Sequence, residues 1–425
     1  MSTKLDRIAA KARQERKLCF TSLIHLITPT FLEETWRQMN RQGASGVDKE
    51  TTQEFESNLG ERCKNLVERL KARRYKAPPV RRVEIPKGTS GQTRSLGIPT
   101  VEDRLLQRAT ARILEAIYEA DFLPFSYGFR PQRNPHQALQ ELQRLIWNTN
   151  VGTVFETDIR GFFNNLSHQW LMKMLRLRIG DPEVLRLLGK WLRAGALIDG
   201  TIERSDKGSP QGGPISPILA NIYLHYALDL WYERKFRPTC RGESSMIRFA
   251  DDFVAVFQHA DEAARFQGEV AERLAQFGLE LADEKTRLLT FGRWAERQLG
   301  QRPETFVFLG FKHVCGTSRN GRFCVVRLPS TKSCRKFLER TRTWLSRNRH
   351  RRVVEQQGQL KAMLSGFYQY FALHHCVSPL NRIWQYVLRQ WFTALRKRGR
   401  PVTWAYLLAQ PWFELPFPRL LHPTV

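Results

Sequence analysis

Asp251 and Asp252 stand side by side in MIRFADDFVAVF (246–257), between two apolar runs. An acidic dipeptide in a hairpin turn is common and by itself says little. Here Phe249 and Ala250 precede the pair and 253–257 follow it, so the turn projects from a buried sheet. A third acid, Asp158, stands near the end of VGTVFETDI (151–159), which reads as a buried strand. The chain carries 68 Lys and Arg against 41 Asp and Glu, a net charge of +27. Three acids at strand ends in so basic a chain sit where cations can neutralise them. Mg²⁺ prefers such hard oxygen ligands and keeps positions open for phosphate and water. Two such ions clamp the attacking and leaving oxygens of an in-line phosphoryl transfer.

A second element, GSPQGGPISPILANIYL (208–224), is Gly- and Pro-rich in its first half and apolar in its second. Small residues let a backbone approach a ligand closely, and Gln211 offers an amide to a nucleotide; the plain alternative is a loop capping a core helix. Excess positive charge calls for an anionic partner. Nucleic acid is the leading class, and an anionic membrane surface the competing one. The run RKFLERTRTWLSRNRHRR (335–352) has eight Lys or Arg against one Glu, interleaved with Phe337 and Trp344.

The elements that must position these residues follow from pattern. Residues 1–70 are mostly helical, broken by a turn-rich loop at 42–48. Ala77–Pro99 reads as a hairpin with a Gly/Thr/Ser tip. Val101, Leu105, Ala109, Ile113 and Ile117 share one helical face. Asp261 is placed as the cap of a helix with an apolar stripe from Ala263 to Phe277, and LELA (279–282) as the next strand. Strands alternating with helices over 151–291 predict an α+β sheet layered on helices. No apolar run approaches the roughly 18–20 residues that span a bilayer, and the polar N-terminus lacks a signal-peptide pattern, so the expected location is cytoplasmic, without membrane association. The seven cysteines are odd in number and include no CxxC pair, which argues against a disulfide framework or a zinc ribbon.

Seven segments occur in a telling order: IPKGTSGQTRSLGIPTVEDRLLQ, FSYGFRPQRNPHQAL, TDIRGFFNNLSH, GSPQGGPISPILANIYL, RFADD, LADEKT and FVFLGFKH. The series, over most of 40–315, closely resembles that of group II intron-encoded reverse transcriptases of the bacterial type. LSGFYQYF (364–371) and WQYVLRQWF resemble the thumb, or maturase X region, of that family. The resemblance implies a right-hand polymerase. Its parts would be an N-terminal extension (1–60), fingers and a palm with an antiparallel sheet (61–325), and a helical thumb/maturase region (326–425). It implies RNA-directed DNA synthesis with two Mg²⁺ ions, Mn²⁺ being a substitute. The partners it implies are RNA template and intron RNA, DNA primer or target, and dNTPs.

Residue by residue, the resemblance makes Asp158, Asp251 and Asp252 metal ligands, with the Ile159 carbonyl assisting. Lys87 and Arg94 become triphosphate contacts, and Gln211 part of the nucleotide pocket. Phe163 is the aromatic gate against a ribose 2′-hydroxyl, with Phe162 as alternative. Lys285 is a proton donor to pyrophosphate, or a surface lysine. Arg130 and Arg133 are template contacts, or salt-bridged structural arginines. The basic run, Arg347, Arg349, Arg351 and Arg352 included, is an RNA-binding surface. Phe249 replaces the usual Tyr before the acidic pair, and Asn164 stands where many members carry an acid; neither removes a metal ligand. No Cys-pair-bearing HNH endonuclease segment is expected. Two other readings stay open: an RNA-folding maturase with a decayed polymerase, and a host-domesticated enzyme of DNA repair or phage defence.

Overall fold

The computed structural model describes residues 2–86, 93–198, 201–203, 206–208, 212–318, 320–398, 403–410 and 413–422. The predicted Lys87 and Gln211 lie outside these residues, as does the side chain of Arg94. A four-stranded sheet has the order Ser244–Phe249, Asp252–Phe257, Thr153–Asp158, Arg287–Thr290. The chain divides into two compact units, the first comprising Met1–Ala138, Thr157–Ala255 and Asp261–Arg287.

In the first unit the predicted hairpin forms from Val80–Pro86 and Thr93–Ile98, paired antiparallel. Val80 also pairs in parallel with Ala196, extending the sheet to the short strands Ala196–Ile198 and Thr201–Glu203. The helix Val101–Tyr118 begins where Thr100 accepts from the Asp103 amide, satisfying one of the free N–H groups of the first turn. It buries Leu105, Leu106, Ile113, Leu114 and Ile117. Asp181 does two jobs at once. It caps Pro182–Arg193 through the Glu183 and Val184 amides, and it accepts from the Leu23 and Ile24 amides at 2.6 and 2.8 Å. Buried Arg178 pairs with Asp121 at 2.9 Å and donates to the carbonyls of Ala12, Glu15 and Leu18. One carboxylate and one guanidinium thus pin the N-terminal segment to sequence more than a hundred residues away.

The second unit comprises Leu139–Glu156, Val256–Ala260 and Leu288–Val425. Its antiparallel sheet runs Phe323–Pro329, Phe311–Thr317, Phe306–Phe308. Three long helices follow: Thr331–Arg347, Val353–Phe371 and Val377–Arg396. Ser330 caps the first by accepting from the Ser333 amide at 3.2 Å. Among the described residues no helix is long and apolar enough to cross a membrane.

Two local expectations need correction. LELA forms no strand: Leu281 makes a single antiparallel bridge to Ile159, and the fourth strand of the sheet is Arg287–Thr290. Alternating apolar residues there mark burial of Leu279 and Leu281 on a connecting segment, not continued ladder pairing. Asp261 sits inside the first turn of Ala260–Ala275 and pairs with Arg241, so it complements the helix dipole without being the cap.

Candidate active site

The site is built on strand ends. Thr153–Asp158 terminates in Asp158, and its sheet neighbour Asp252–Phe257 begins with Asp252. The strand Ser244–Phe249 stops one residue before Ala250, which turns the chain with φ of +59°. A left-handed conformation is strained for alanine, and the surroundings impose it. A Cβ on Gly128 would lie 2.3 Å from the Ala250 nitrogen, so only glycine at 128 lets the two backbones touch.

Past Asp158 the chain pairs with 280–282. The Ala282 amide donates to the Asp158 carbonyl and the Arg160 amide to the Glu280 carbonyl, both at 2.8 Å, flanking the Ile159–Leu281 bridge. Thr157 and Thr286 join through their hydroxyls at 2.7 Å. Arg160 reaches Asp283 at 3.3 Å and Glu284 at 3.2 Å. This loop delivers Lys285, whose ammonium donates to the Asp158 carboxylate. Burial opposes the Lys285 charge, but the contact with Asp158, reinforced by Glu284 and Asp252, outweighs it and raises its pKa. Burial likewise raises the pKa of the Asp251 carboxyl, and the nearby Asp158 charge adds to it, against the pull of Lys285 and Arg248. Asp158, Asp251, Asp252 and Lys285 therefore act on one another across about 130 residues of sequence.

Beside them lies Phe162–Asn165, a single helical turn entered through Gly161 at φ +55°. Phe162 is core, 2% exposed and 6.3 Å from the Tyr223 ring; Phe163 is half-buried. The ends of the Gly/Pro loop bracket this region. A Cβ on Gly208 would come within 3.2 Å of the Phe163 carbonyl, and one on Gly212 within 2.7 Å of the Gly97 carbonyl on the hairpin. Gly208 thus lies against the Phe163 turn, and Gly212 against the strand Thr93–Ile98.

Other expected contacts are elsewhere. Arg130 is buried, paired with Glu119 at 2.6 Å and donating to the Leu123 and Ser126 carbonyls at 2.7 Å. That is the salt-bridged structural role, with four of its five N–H groups given to Glu119 and the two carbonyls. Arg133 is half-buried over the Tyr127 ring at 5.1 Å. Arg347, Arg349, Arg351 and Arg352 are exposed in the second unit. Sequence reasoning passed over Arg248, Asp229, Asn221 and Ser126, which are buried around the acidic turn. The available signal was polar residues inside otherwise apolar runs, such as Asn221 in ILANIYL.

Residues 85–313, more than half of the chain, match the reverse transcriptase (RNA-dependent DNA polymerase) family. The chain belongs to the reverse transcriptases. It is 31% identical over 367 residues to protein YkfC of Escherichia coli K12, covering 78% of this chain and 93% of that one. It is 38% identical over 225 residues to the group II intron-encoded protein LtrA of Lactococcus lactis, covering 52% of this chain and 37% of LtrA. It is 30% identical over 97 residues to nuclear intron maturase 1 of Arabidopsis thaliana, covering 22% of this chain and 13% of that one. This reverse transcriptase stands with the group II intron-encoded reverse transcriptases and maturases, as an RNA-directed DNA polymerase whose partners are nucleic acids.

Reverse transcriptases use divalent metal ions. Among the described residues no three carboxylate, imidazole or thiol groups come together closely enough to hold a metal ion by themselves. A closed cage is not what Mg²⁺ needs, since it is commonly held by one or two carboxylates together with water and substrate phosphate. The donor set here is all oxygen, and Asp158 already draws a cation, the Lys285 ammonium. The residues fit a divalent ion.

Proposed function

We propose that this reverse transcriptase extends a primer on an RNA template at Asp158, Asp251 and Asp252, which hold two Mg²⁺ ions together with the Ile159 carbonyl. The observation that carries this reading is the placement of Asp158 at the end of one strand and Asp252 at the start of its sheet neighbour, with Asp251 in the turn just before it. When bound, the two ions stabilise the attacking and leaving oxygens; Mn²⁺ is an alternative of the same ligand preference. The primer 3′-hydroxyl gives up its proton to solvent as its oxygen bonds to the α-phosphorus of a dNTP, the bond from that phosphorus to the α–β bridging oxygen breaks, and pyrophosphate leaves.

The protein's own share is positioning. The half-buried Phe163 ring lies against the nucleotide sugar and excludes a 2′-hydroxyl. Lys87 and Arg94 on the hairpin pair with the triphosphate, and Gln211 lines the nucleotide pocket. Lys285, kept cationic beside Asp158, supplies a proton to pyrophosphate. The layout is a right hand with an extension at 1–60, fingers and palm at 61–325 and thumb at 326–425. Arg133 and the exposed Arg347, Arg349, Arg351 and Arg352 contact RNA, and the basic helical region binds intron RNA to assist splicing and mobility.

Asp251→Asn keeps the shape of the side chain and removes its charge. Mg²⁺-dependent dNTP incorporation on an RNA template should fall by about 1,000-fold or more, with RNA retention on filters within about twofold of wild type. Extension near the wild-type rate would remove Asp251 from the site.

A further inference from the structure

Arg248 stands three residues before Asp251 and is wholly buried. An arginine has five N–H donors, and every one is engaged here. Nε and Nη2 reach the two Asp229 carboxylate oxygens at 2.7 and 2.5 Å, a pair neither of whose side chains touches solvent. Nη1 donates to Asn221 Oδ1 at 3.1 Å and to the Ala250 carbonyl at 2.9 Å, and Nη2 also donates to Ser126 Oγ at 2.7 Å. The partners come from three separate segments, and each is itself held. The Arg248 amide and carbonyl bond to Phe125 and Tyr127 at 2.9 and 2.8 Å. The Asn221 amide group donates to the Gly128 carbonyl at 2.7 Å, on the same glycine whose missing Cβ admits Ala250.

The helix geometry makes the pairing possible. Asn221 and Asp229 are eight residues apart, which in an unbroken α-helix would set them about 80° apart around the axis. The segment His225–Asp229 is instead a π-helical turn. A π turn holds more residues and so rotates less per residue, which swings Asp229 back toward Asn221 and lets both face one guanidinium.

We propose that Arg248, clamped by Asp229, is the positioning residue of the catalytic turn. It holds the strained Ala250 peptide by its carbonyl and so sets the direction in which Asp251 and Asp252 present their carboxylates. A buried ion pair is a poor source of stability compared with apolar groups of the same volume. Its value here lies in the fifth bond, to Ala250, which no apolar side chain can make. The inference rests on the reading of Asp251 and Asp252 as metal ligands.

The test replaces the pair together, Arg248→Met with Asp229→Leu, so that no charge is left buried alone. Thermal melting and primer–template affinity establish folding. Single-turnover incorporation across dNTP and Mg²⁺ series gives the maximal rate, the dNTP half-saturation and the burst amplitude. A positioning role lowers the maximal rate by about 100-fold with dNTP half-saturation changed less than about threefold, and shifts the Mg²⁺ requirement upward. A wild-type burst rate, with only amplitude or melting temperature reduced, overturns the proposal. Ser126→Ala removes one partner of the guanidinium, keeps the ion pair and decides the matter if the double variant does not fold. A rate lowered about three- to tenfold at unchanged melting temperature supports the role, and a wild-type rate overturns it. Asp251→Asn runs in parallel. If it stays active the metal-ligand reading fails and the proposal with it; if it is inactive while the pair variants keep full rate, only the positioning role fails.

Discussion

Phe162 and Phe163 are adjacent, alike and unequally placed. Phe162 packs against Tyr223 with 2% of its surface exposed, while Phe163 stays partly open, its carbonyl close to Gly208. Only the open ring is free to meet a nucleotide sugar. Removing it should admit a ribose hydroxyl, so Phe163→Val should raise ribonucleotide incorporation relative to deoxyribonucleotide by about tenfold or more. Competition between dNTP and rNTP in single-nucleotide extension measures the ratio, and an unchanged ratio would clear Phe163 of the role. Phe162→Val should act differently, by opening a core cavity that costs about 1–3 kcal/mol of stability, read as a lower denaturant midpoint.

At the scale of elements, the strand Phe311–Thr317 carries a buried histidine directly opposite a buried arginine. His313 pairs in register with Arg327 and stacks on Phe306 at 4.5 Å. Burial, with Arg327 adding to it, pushes the His313 pKa down to about 3 from 6.5. The folded state therefore refuses a proton that the unfolded chain takes up. A base with a lowered folded pKa contributes stability that is present above the unfolded pKa and lost as pH falls below it. Each such group adds a slope of about 1.4 kcal/mol per pH unit below 6.5. His313→Phe keeps a ring against Phe306 and abolishes the titration. Denaturant melts from pH 6.5 to 5 should show the wild type losing about 2 kcal/mol more than the variant, and parallel pH profiles would exclude His313 as the cause.

On the scale of the whole molecule, a net charge of +27 demands a polyanion. Arg347, Arg349, Arg351 and Arg352 are exposed around the junction of Thr331–Arg347 and Val353–Phe371. Arg398 donates to the Arg349 and Arg351 carbonyls and so braces that junction. For every arginine that neutralises a phosphate, its removal should reduce the slope of log affinity against log salt by roughly 0.7–0.9. Changing the four to Gln should flatten the slope by up to about 3.6 and weaken binding to structured RNA. Short primer–template extension at saturating substrate should suffer less, because the acids are untouched. Affinity over a salt series checks the first point and single-nucleotide extension the second. An unaltered slope would show that these arginines face only solvent.

The sequence alone determined the chemistry and most of the elements. Acids at the ends of apolar runs, a Gly/Pro loop before an apolar helix and a hairpin with Ile-Pro at each end are local patterns, set by side-chain period and turn preference. They singled out Asp158, Asp251 and Asp252 as candidates and bounded the elements around them to within a residue or two. What the tertiary structure alone decided was which polar side chains face one another. LELA has the alternation of a strand and makes one bridge, because its neighbour leaves the sheet at Asp158. Arg130 and Arg248 look alike in sequence, each a basic residue inside a functional motif. One is spent on Glu119, and the other, fixed by Asp229, holds the acidic turn through its bond to the Ala250 carbonyl. The π turn that brings Asp229 to Arg248 has no local signature in HYALD. A buried guanidinium must find its partners wherever the fold supplies them, and that requirement operates across the packed chain, beyond the reach of any single stretch of sequence.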